Sequence, residues 1–480
     1  MAESRVVELP YDDAGLDRVV LPQKNLGRCY SVKAALHRPA GDVAATLLDA
    51  LEQPIGTAPL HELILRRARR LSRTASAADT GPPGSSASAC DRLRVTLIVD
   101  DLTRSTPVRQ ILPPLLKILH QVGVSHHNVT IVVALGTHRK MTPQELQRRL
   151  GEAVFSAYRV CNSHFDDQSM MVLMGRSADD VPIYIDRLVA DADFRIGIGS
   201  IVPHGAVGWS GGGKILYPGV AGHETVKRFH YLHGLTRENM KGRMECSVRT
   251  TMEQWVETVG LDFIVNSVQD HEGNTCGLFA GHYVKAQREG SRVARQIYCH
   301  EREPACDVAI AVSHPHDLDF WQAAKGIFSA EQLTADGGDV VLVTPCPEGE
   351  GNHTRFLERC GDPHSHQLLQ RVLRGEIPEP EDAVSIAPAC LMHAIQQRVR
   401  VHLVSPNLDP RRVRDAGMFP HVSAQAALDH LLLQRPDARV SFVLHSDICF
   451  PLTCFPQTGV AERAATGSET GAAARRDAPQ

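Results

Sequence analysis

The sequence carries no surplus of charge. Its 480 residues include 51 Lys and Arg against 55 Asp and Glu, for a formal net charge of −4. Nucleic-acid-binding chains show a basic excess or stripe, so that class is disfavoured. No stretch approaches the roughly 18 consecutive apolar residues of a membrane-spanning helix. The first residues, Met1-Ala2-Glu3-Ser4-Arg5, lack the apolar core of a secretory leader. These absences predict a cytoplasmic chain with no membrane partner. There are twelve cysteines but no C-x-x-C pair, which disfavours a zinc site or a disulfide framework. Buried free thiols in a reducing compartment are the expectation. No internal repeat is evident. Hydrophobic residues make up 43% and charged residues 22%, which excludes global disorder. The length predicts two or more domains.

Two segments differ from the rest. Residues 74–90 (TASAADTGPPGSSASAC) are small and Gly/Pro-rich. They predict a flexible surface insertion between a basic helix, His61 to Ser72, and a strand. Residues 457–480 predict a disordered tail. Elsewhere, short apolar runs alternate with helical patterns. The runs are Arg94 to Asp100, Val129 to Ala134, Phe194 to Ile201, Val308 to Val312, Val340 to Thr344, Val399 to Val404 and Arg439 to Leu444. Continuous apolar strands alternating with helices predict an α/β fold with largely parallel sheets covered on both faces. Residues 1–300 are expected to form a first domain and 301–435 a second, with a long polar helix, Tyr283 to Arg295, just before the boundary. Strand 439–444 is expected to be able to return to the first domain.

In open α/β sheets, ligands bind beyond the carboxyl ends of strands. The first strand runs into Asp100-Asp101-Leu102-Thr103-Arg104-Ser105-Thr106-Pro107. Helix capping accounts for Thr106-Pro107. Two carboxylates and an Arg at the same turn also suit a ligand site. The second strand ends in Gly136-Thr137-His138-Arg139, where His138 is either a locally bonded loop histidine or an acid/base. The third is followed by Pro203-His204-Gly205-Ala206-Val207-Gly208-Trp209-Ser210-Gly211-Gly212-Gly213-Lys214. Its glycines allow close backbone approach to a bulky ligand. Lys214 then has three possible uses: phosphate cation, Schiff-base amine or covalent tether.

Gly208 to Lys214 also fits G-x-x-x-x-G-K, the phosphate-binding loop of nucleotide hydrolases. The next residue is Ile215, where that loop needs Ser or Thr for Mg²⁺. Further on, His223, His230 and His233 share one helical stretch, with His230 and His233 spaced to share a face. They are metal-ligand candidates or, in a chain with 24 histidines, coincidence. Gln322 and Lys325, three apart in Phe320-Trp321-Gln322-Ala323-Ala324-Lys325-Gly326, form either a carboxylate-binding pair or a solvated helix face.

Taken together, DDLTRSTP, GTHR, PHGAVGWSGGGK, His230 sixteen residues past Lys214, and WQAAKG resemble the nickel-dependent lactate racemases and their homologues. Leu51-Glu52-Gln53-Pro54-Ile55-Gly56-Thr57 resembles the family as well. The likeness runs from about residue 8 to about residue 455, with the motifs in family order. Ser105 stands where many members have Pro, and Trp321 is the best match for an aromatic that the second domain sends toward substrate. The resemblance implies a racemase or epimerase of a 2-hydroxy carboxylic acid, lactate-like, that moves hydride to and from a nickel-pincer nucleotide. This nucleotide is a Ni(II) pyridinium-3,5-bisthiocarboxylic acid mononucleotide. By the same resemblance, Lys214 is its covalent tether and His230 the metal ligand. His138 and His204 are the catalytic acid/base pair. Asp101, Leu102, Thr103 and Arg104 line the cofactor, and Arg104, Gln322 and Lys325 hold the substrate. The implied partners are a small 2-hydroxy acid and the enzymes that make the cofactor and insert its nickel. The alternatives are a non-catalytic cofactor- or anion-binding protein and a nucleotide hydrolase.

Overall fold

The computed structural model describes residues 3–12, 15–33, 42–76, 86–301 and 303–452. Two six-stranded sheets organise them. The first runs in the order Thr275–Gly281, Phe263–Gln269, Phe194–Ser200, Val95–Asp100, Val129–Ala134, Arg159–Asn162. All its pairings are parallel except the edge hairpin of Phe263–Gln269 with Thr275–Gly281. Its three central strands are buried almost throughout, which is why they read as unbroken apolar runs. After Val95–Asp100 the chain adds strands on one side, and Phe194–Ser200 then joins on the other. The order therefore reverses between these two strands, and their carboxyl ends open the crevice where such sheets bind ligands.

The second sheet runs Phe419–His421, Arg400–Val404, Thr334–Val343, Cys306–Val312, Val440–Val443, Leu26–Tyr30, and is parallel throughout. The expected division of the chain is corrected at both ends. Strand 439–444 does not return to the first sheet; Val440–Val443 pairs with Cys306–Val312 and Leu26–Tyr30. The N-terminal residues leave the first domain as well. The hairpin of Ser4–Asp12 and Gly15–Pro22 packs Val7, Leu9, Val19 and Leu21 against Val308, Ile310 and Leu428. Burying that apolar face outweighs nearness in sequence.

The helix that begins after Thr142 runs Pro143–Leu150 and is closed by a capping box with Glu145. The polar helix spans Lys285–Tyr298. Within the expected 74–90 insertion, Ser86–Asp91 is a short helix with Ala89 and Cys90 buried. Residues 77–85 and the expected 457–480 tail lie outside the described residues. Of the described cysteines, all free, Cys90, Cys299, Cys306, Cys346, Cys360, Cys390 and Cys449 are buried. No described helix is long and apolar enough to cross a membrane.

The two sheets do not stand apart. Trp209 and Ile201, from the segment after the third strand, share a core with Phe320, Phe328 and Phe450. Helix His223–Thr236 buries Tyr231 against Leu369, Ala387 and Cys390. A Cβ on Gly234 would lie 2.8 Å from Ala387, so a glycine is needed for that approach.

Candidate active site

The strand ends deliver polar side chains to one place. A cavity of about 910 Å³ between the sheets is lined by Arg104, His138, His204, Lys214, His230 and Lys325, and also by His233, Trp321, Phe229, Phe328 and Phe356. Eight of the residues singled out from sequence therefore meet in it. Asp101 lies behind His138. Leu102 and Thr103, with Asp101 and His138, line an adjoining space of about 400 Å³. Gln322 is 2% exposed and reaches in from the second sheet. His223 does not line the cavity. The helical break at Ala324, between Phe320–Ala323 and Lys325–Ala330, separates Gln322 and Lys325, which were expected on one helix. Their side chains still bond to each other, Lys325 Nζ donating to Gln322 Oε1.

His138 is clamped at both nitrogens. Nδ1 lies 2.6 Å from Asp101 Oδ2, and Nε2 lies 2.9 Å from the side-chain nitrogen of Gln322. The carboxylate fixes the Nδ1–H tautomer, so Nε2 accepts from Gln322. Asp101 Oδ1 also accepts from Thr103 N at 3.0 Å and Thr103 Oγ1 at 2.5 Å. Burial alone would raise the Asp101 pKa. His138 and Arg104 overcome that and hold the carboxyl well below the usual range. Burial pulls the His138 imidazole below its ordinary value, against the pull of Asp101 and with the help of Arg104 and Lys325. His204 is held well below its ordinary pKa by burial and by the Lys214, Lys325 and Arg104 cations. Its Nδ1 accepts from the Ala206 N–H at 3.2 Å, which leaves the ring proton on Nε2.

The glycine run positions Lys214. Gly211 and Gly212 take φ of +76° and +60°, and Gly212–Ile215 forms a short 3-10 turn. Asn266 Oδ1 accepts from Gly212 N at 2.8 Å, and its Nδ2 donates to Gly199 O at 3.1 Å. Cβ atoms at Gly211, Gly212 and Gly213 would lie 2.7 Å from Asn266 Oδ1, 2.7 Å from Tyr283 O and 2.6 Å from Val256 Cγ2. The turn is packed too tightly for any other residue. Burial, with Arg104 nearby, pushes the Lys214 ammonium down to about 7, so a large neutral-amine fraction exists near neutrality. The phosphate-loop pattern fails here. Gly208–Trp209 pairs with Pro203–His204, and Ile215 packs into the core with Ile98 and Leu216.

Helix His223–Thr236 presents His230, whose Nδ1 bonds the Val226 carbonyl at 2.9 Å. That bond fixes the proton on Nδ1 and leaves the Nε2 lone pair available. Burial brings the His230 pKa to about 3. His233 is spent structurally, with Nε2 on Glu238 O at 3.1 Å. A second space of about 410 Å³ adjoins the cavity and shares Arg104 and Lys214 with it. It is lined by Asp100, Gly199, Ser200, Ser210 and Gly211, at the strand-order reversal.

Sequence reasoning missed Asn266, Arg149, His353 and Asp382. Arg149 Nε donates to Asp100 O at 2.8 Å and Nη1 to Arg104 O at 2.9 Å, pinning the loop that carries Asp101 to Arg104. No local pattern marks residues that act at such sequence distances.

Fold and site define the class: a two-sheet α/β protein whose cleft between the sheets gathers four imidazoles and a deprotonatable lysine around one ligand cavity. Comparison narrows it. Residues 81–242 match the lactate racemase N-terminal domain. The lactate racemase of Lactiplantibacillus plantarum is 28% identical over 353 residues, 72% of this chain and 76% of that protein. The lactate racemase of Thermoanaerobacterium thermosaccharolyticum is 26% identical over 422 residues, 86% and 91% of the two chains. The structure of the lactate racemase apoprotein from the same organism superposes with a TM-score of 0.77 at 22% identity, covering 94% of this chain and 100% of that one. A Thermotoga maritima protein gives 0.60 at 18% identity, covering 83% and 99%. Over most of its length the chain is thus similar to lactate racemases, and over residues 81–242 to their N-terminal domain.

Proposed function

We propose that this chain is a racemase or epimerase of a 2-hydroxy carboxylic acid that works on a nickel-pincer nucleotide tethered at Lys214. One observation carries the reading: His138 and His204 line the same cavity as Lys214 and His230. The residues fit the group. An amine with a pKa of about 7 is nucleophilic enough near neutrality to be acylated. An imidazole proton-locked at Nδ1 by Val226 O presents Nε2 as a neutral nitrogen donor, which suits Ni(II). The adjoining space at the strand-order reversal gives the polar end of a mononucleotide room beside Arg104. When bound, the group supplies a reversible acceptor for the carbinol hydride.

The chain's own residues then bind, orient and move a proton. The Arg104 guanidinium and the Lys325 amine face the cavity and take the substrate carboxylate, with Arg104 carrying the charge. The substrate hydroxyl displaces the Gln322 amide and gives its proton to His138 Nε2. Asp101 keeps the Nδ1 proton in place and stabilises the imidazolium that forms. For the opposite hand, His204 must first move its proton from Nε2 to Nδ1, giving up the Ala206 bond, and then acts as the base. The apolar walls, Phe229, Phe328 and Phe356, keep water from the keto acid between the two half-reactions. In this reading the chain depends on enzymes that build the nucleotide and insert nickel.

The test is racemisation of one enantiomer, deuterated at the carbinol carbon, by chain loaded in a cofactor-making host. Scrambling of the hand with deuterium retained is expected, and it should be lost in His138→Ala and His204→Ala. Loaded protein that scrambles no 2-hydroxy acid is a binding protein instead.

A further inference from the structure

Two Asp–His pairs cross the cleft in opposite directions and meet at the consecutive residues Thr137 and His138. Asp101–His138, from the first sheet, reaches Gln322 of the second half. Asp382–His353, from the second half, reaches Thr137 of the first. His353 Nδ1 lies 2.7 Å from Asp382 Oδ1, and Nε2 lies 2.8 Å from Thr137 Oγ1. The carboxylate sets the Nδ1–H tautomer, so the Thr137 hydroxyl donates to Nε2. His353 also packs against Trp321, with ring centroids 3.9 Å apart and the planes tilted by 32°. Thr137 precedes His138 and Trp321 precedes Gln322. One imidazole therefore touches the immediate neighbours of both partners in the His138–Gln322 contact.

This second pair is built to hold a position. Thr137 and His353 are buried at 8% and 6% exposure, where hydrogen bonds are less exposed to competition from water. Asp382 takes φ +48°, a conformation that non-glycine residues other than Asn and Asp rarely adopt. It is kept there by Arg359, whose guanidinium donates to the Asp382 and Glu381 carbonyls and to Ser385 Oγ. Asp382 Oδ2 also accepts from Arg355 N at 3.3 Å. Thr137 follows Gly136, which has φ +61° and is anchored through its N–H to Gly219 O at 2.9 Å. Each end of the chain of bonds is fixed to its own half of the protein.

We propose that His353, oriented by Asp382, is a positioning residue that clasps Thr137 and Trp321 together across the cleft and so sets the register of His138 against whatever occupies the Gln322 position. The clasp itself is a statement about the unloaded chain. Its consequence for turnover rests on the reading of His138 as the acid/base. Gln322 is the contact that yields to substrate, whereas the Thr137–His353 bond persists and keeps the two halves aligned.

The experiment compares Thr137→Val, which loses the hydroxyl but keeps the shape, with Thr137→Ser, which keeps the hydroxyl. Hydrogen–deuterium exchange on the full-length unloaded chain reads the clasp, with thermal melting as the control for folding. Thr137→Val should speed amide exchange around residues 135–139 and 353–356 by about 2- to 10-fold, the worth of one typical hydrogen bond, and Ser should restore it. Asp382→Asn, which tolerates the same backbone, should show a smaller effect of the same sign. On loaded protein, Thr137→Val should lower kcat by about 10-fold or more through misplacement of His138, with KM changed much less, and Ser should again rescue. If both variants exchange and turn over like the wild type, the clasp is wrong. If Val loosens exchange but loaded wild type racemises nothing, the clasp stands and the catalytic reading falls. If loaded wild type racemises while Val alters neither readout, the catalytic reading stands and the clasp falls.

Discussion

His138 and Gln322 meet across the cleft, with the imidazole Nε2 2.9 Å from the amide nitrogen. Because Asp101 holds Nδ1 at 2.6 Å, the proton inventory of this histidine is set before any ligand arrives. It is a neutral imidazole whose Nε2 lone pair is covered by the Gln322 amide.

Asp101→Asn keeps the shape and removes the charge. Asp101 raises the His138 pKa against burial, so its loss lowers the basicity of Nε2 and frees the ring to adopt the wrong tautomer. We expect kcat/KM to fall by about 10²- to 10⁴-fold. The acidic limb of the pH–rate profile should move to lower pH, because His138 then loses its proton at lower pH. Initial rates across pH 5 to 9 check both.

Lys214, with its pKa brought to about 7, should acylate faster near neutral pH than the surface lysines, which are protonated there. Limited treatment of unloaded chain with a small amine-reactive ester, followed by peptide mass mapping, should mark the Lys214 peptide early. Lys325, also lowered by burial and by the Arg104 and Lys214 cations, is the expected competitor. Labelling of Lys214 no faster than that of exposed lysines would contradict the site electrostatics.

Gly212→Ala should displace Lys214. The residue holds φ +60°, and a Cβ would sit 2.7 Å from the Tyr283 carbonyl. The backbone conformation alone costs about 1–3 kcal/mol. A lowered melting temperature and slower Lys214 acylation are the expected outcome.

His233 should make the apoprotein sensitive to acid. Burial lowers its pKa to about 4, so the folded state leaves it neutral while the unfolded chain protonates it near 6.5. Between those values the unfolded state binds more protons, and stability falls as pH drops. The loss is on the order of 3 kcal/mol across that window. His233→Gln keeps a donor for the Glu238 carbonyl and removes the titration, so its melting temperature should fall less between pH 6.5 and 4. An unchanged pH slope would contradict this.

The legible parts of the fold were those with a local signal. Val95–Asp100, Val129–Ala134 and Phe194–Ser200 are buried on both faces, so their sequences are continuously apolar. The motifs that follow them stand at strand ends, where α/β sheets place ligands. Leu26–Tyr30 gave no such signal, because Leu-Gly-Arg-Cys-Tyr is short and half polar. Its place beside Val440–Val443 is fixed by pairing across the whole chain. Asn266, Arg149 and His353 were invisible for the same reason. Each is unremarkable in its own segment and acquires its role from partners as far as 216 residues away. His230 was ambiguous among its neighbours until the Val226 bond separated a nitrogen free to ligate from the structurally committed His233.

On the proposed reading Lys214 would tether the cofactor, His230 would ligate its nickel, and His138 and His204 would exchange the substrate hydroxyl proton. Intact-mass and nickel analysis of chain co-expressed with a cofactor-making pathway tests it most directly. A mass increase matching the pincer nucleotide is expected on the Lys214 peptide, with nickel in proportion to the modified chain. Both should be lost in Lys214→Ala, and the nickel alone depleted in His230→Ala. Bare, nickel-free chain from cells in which a control racemase loads normally would contradict it.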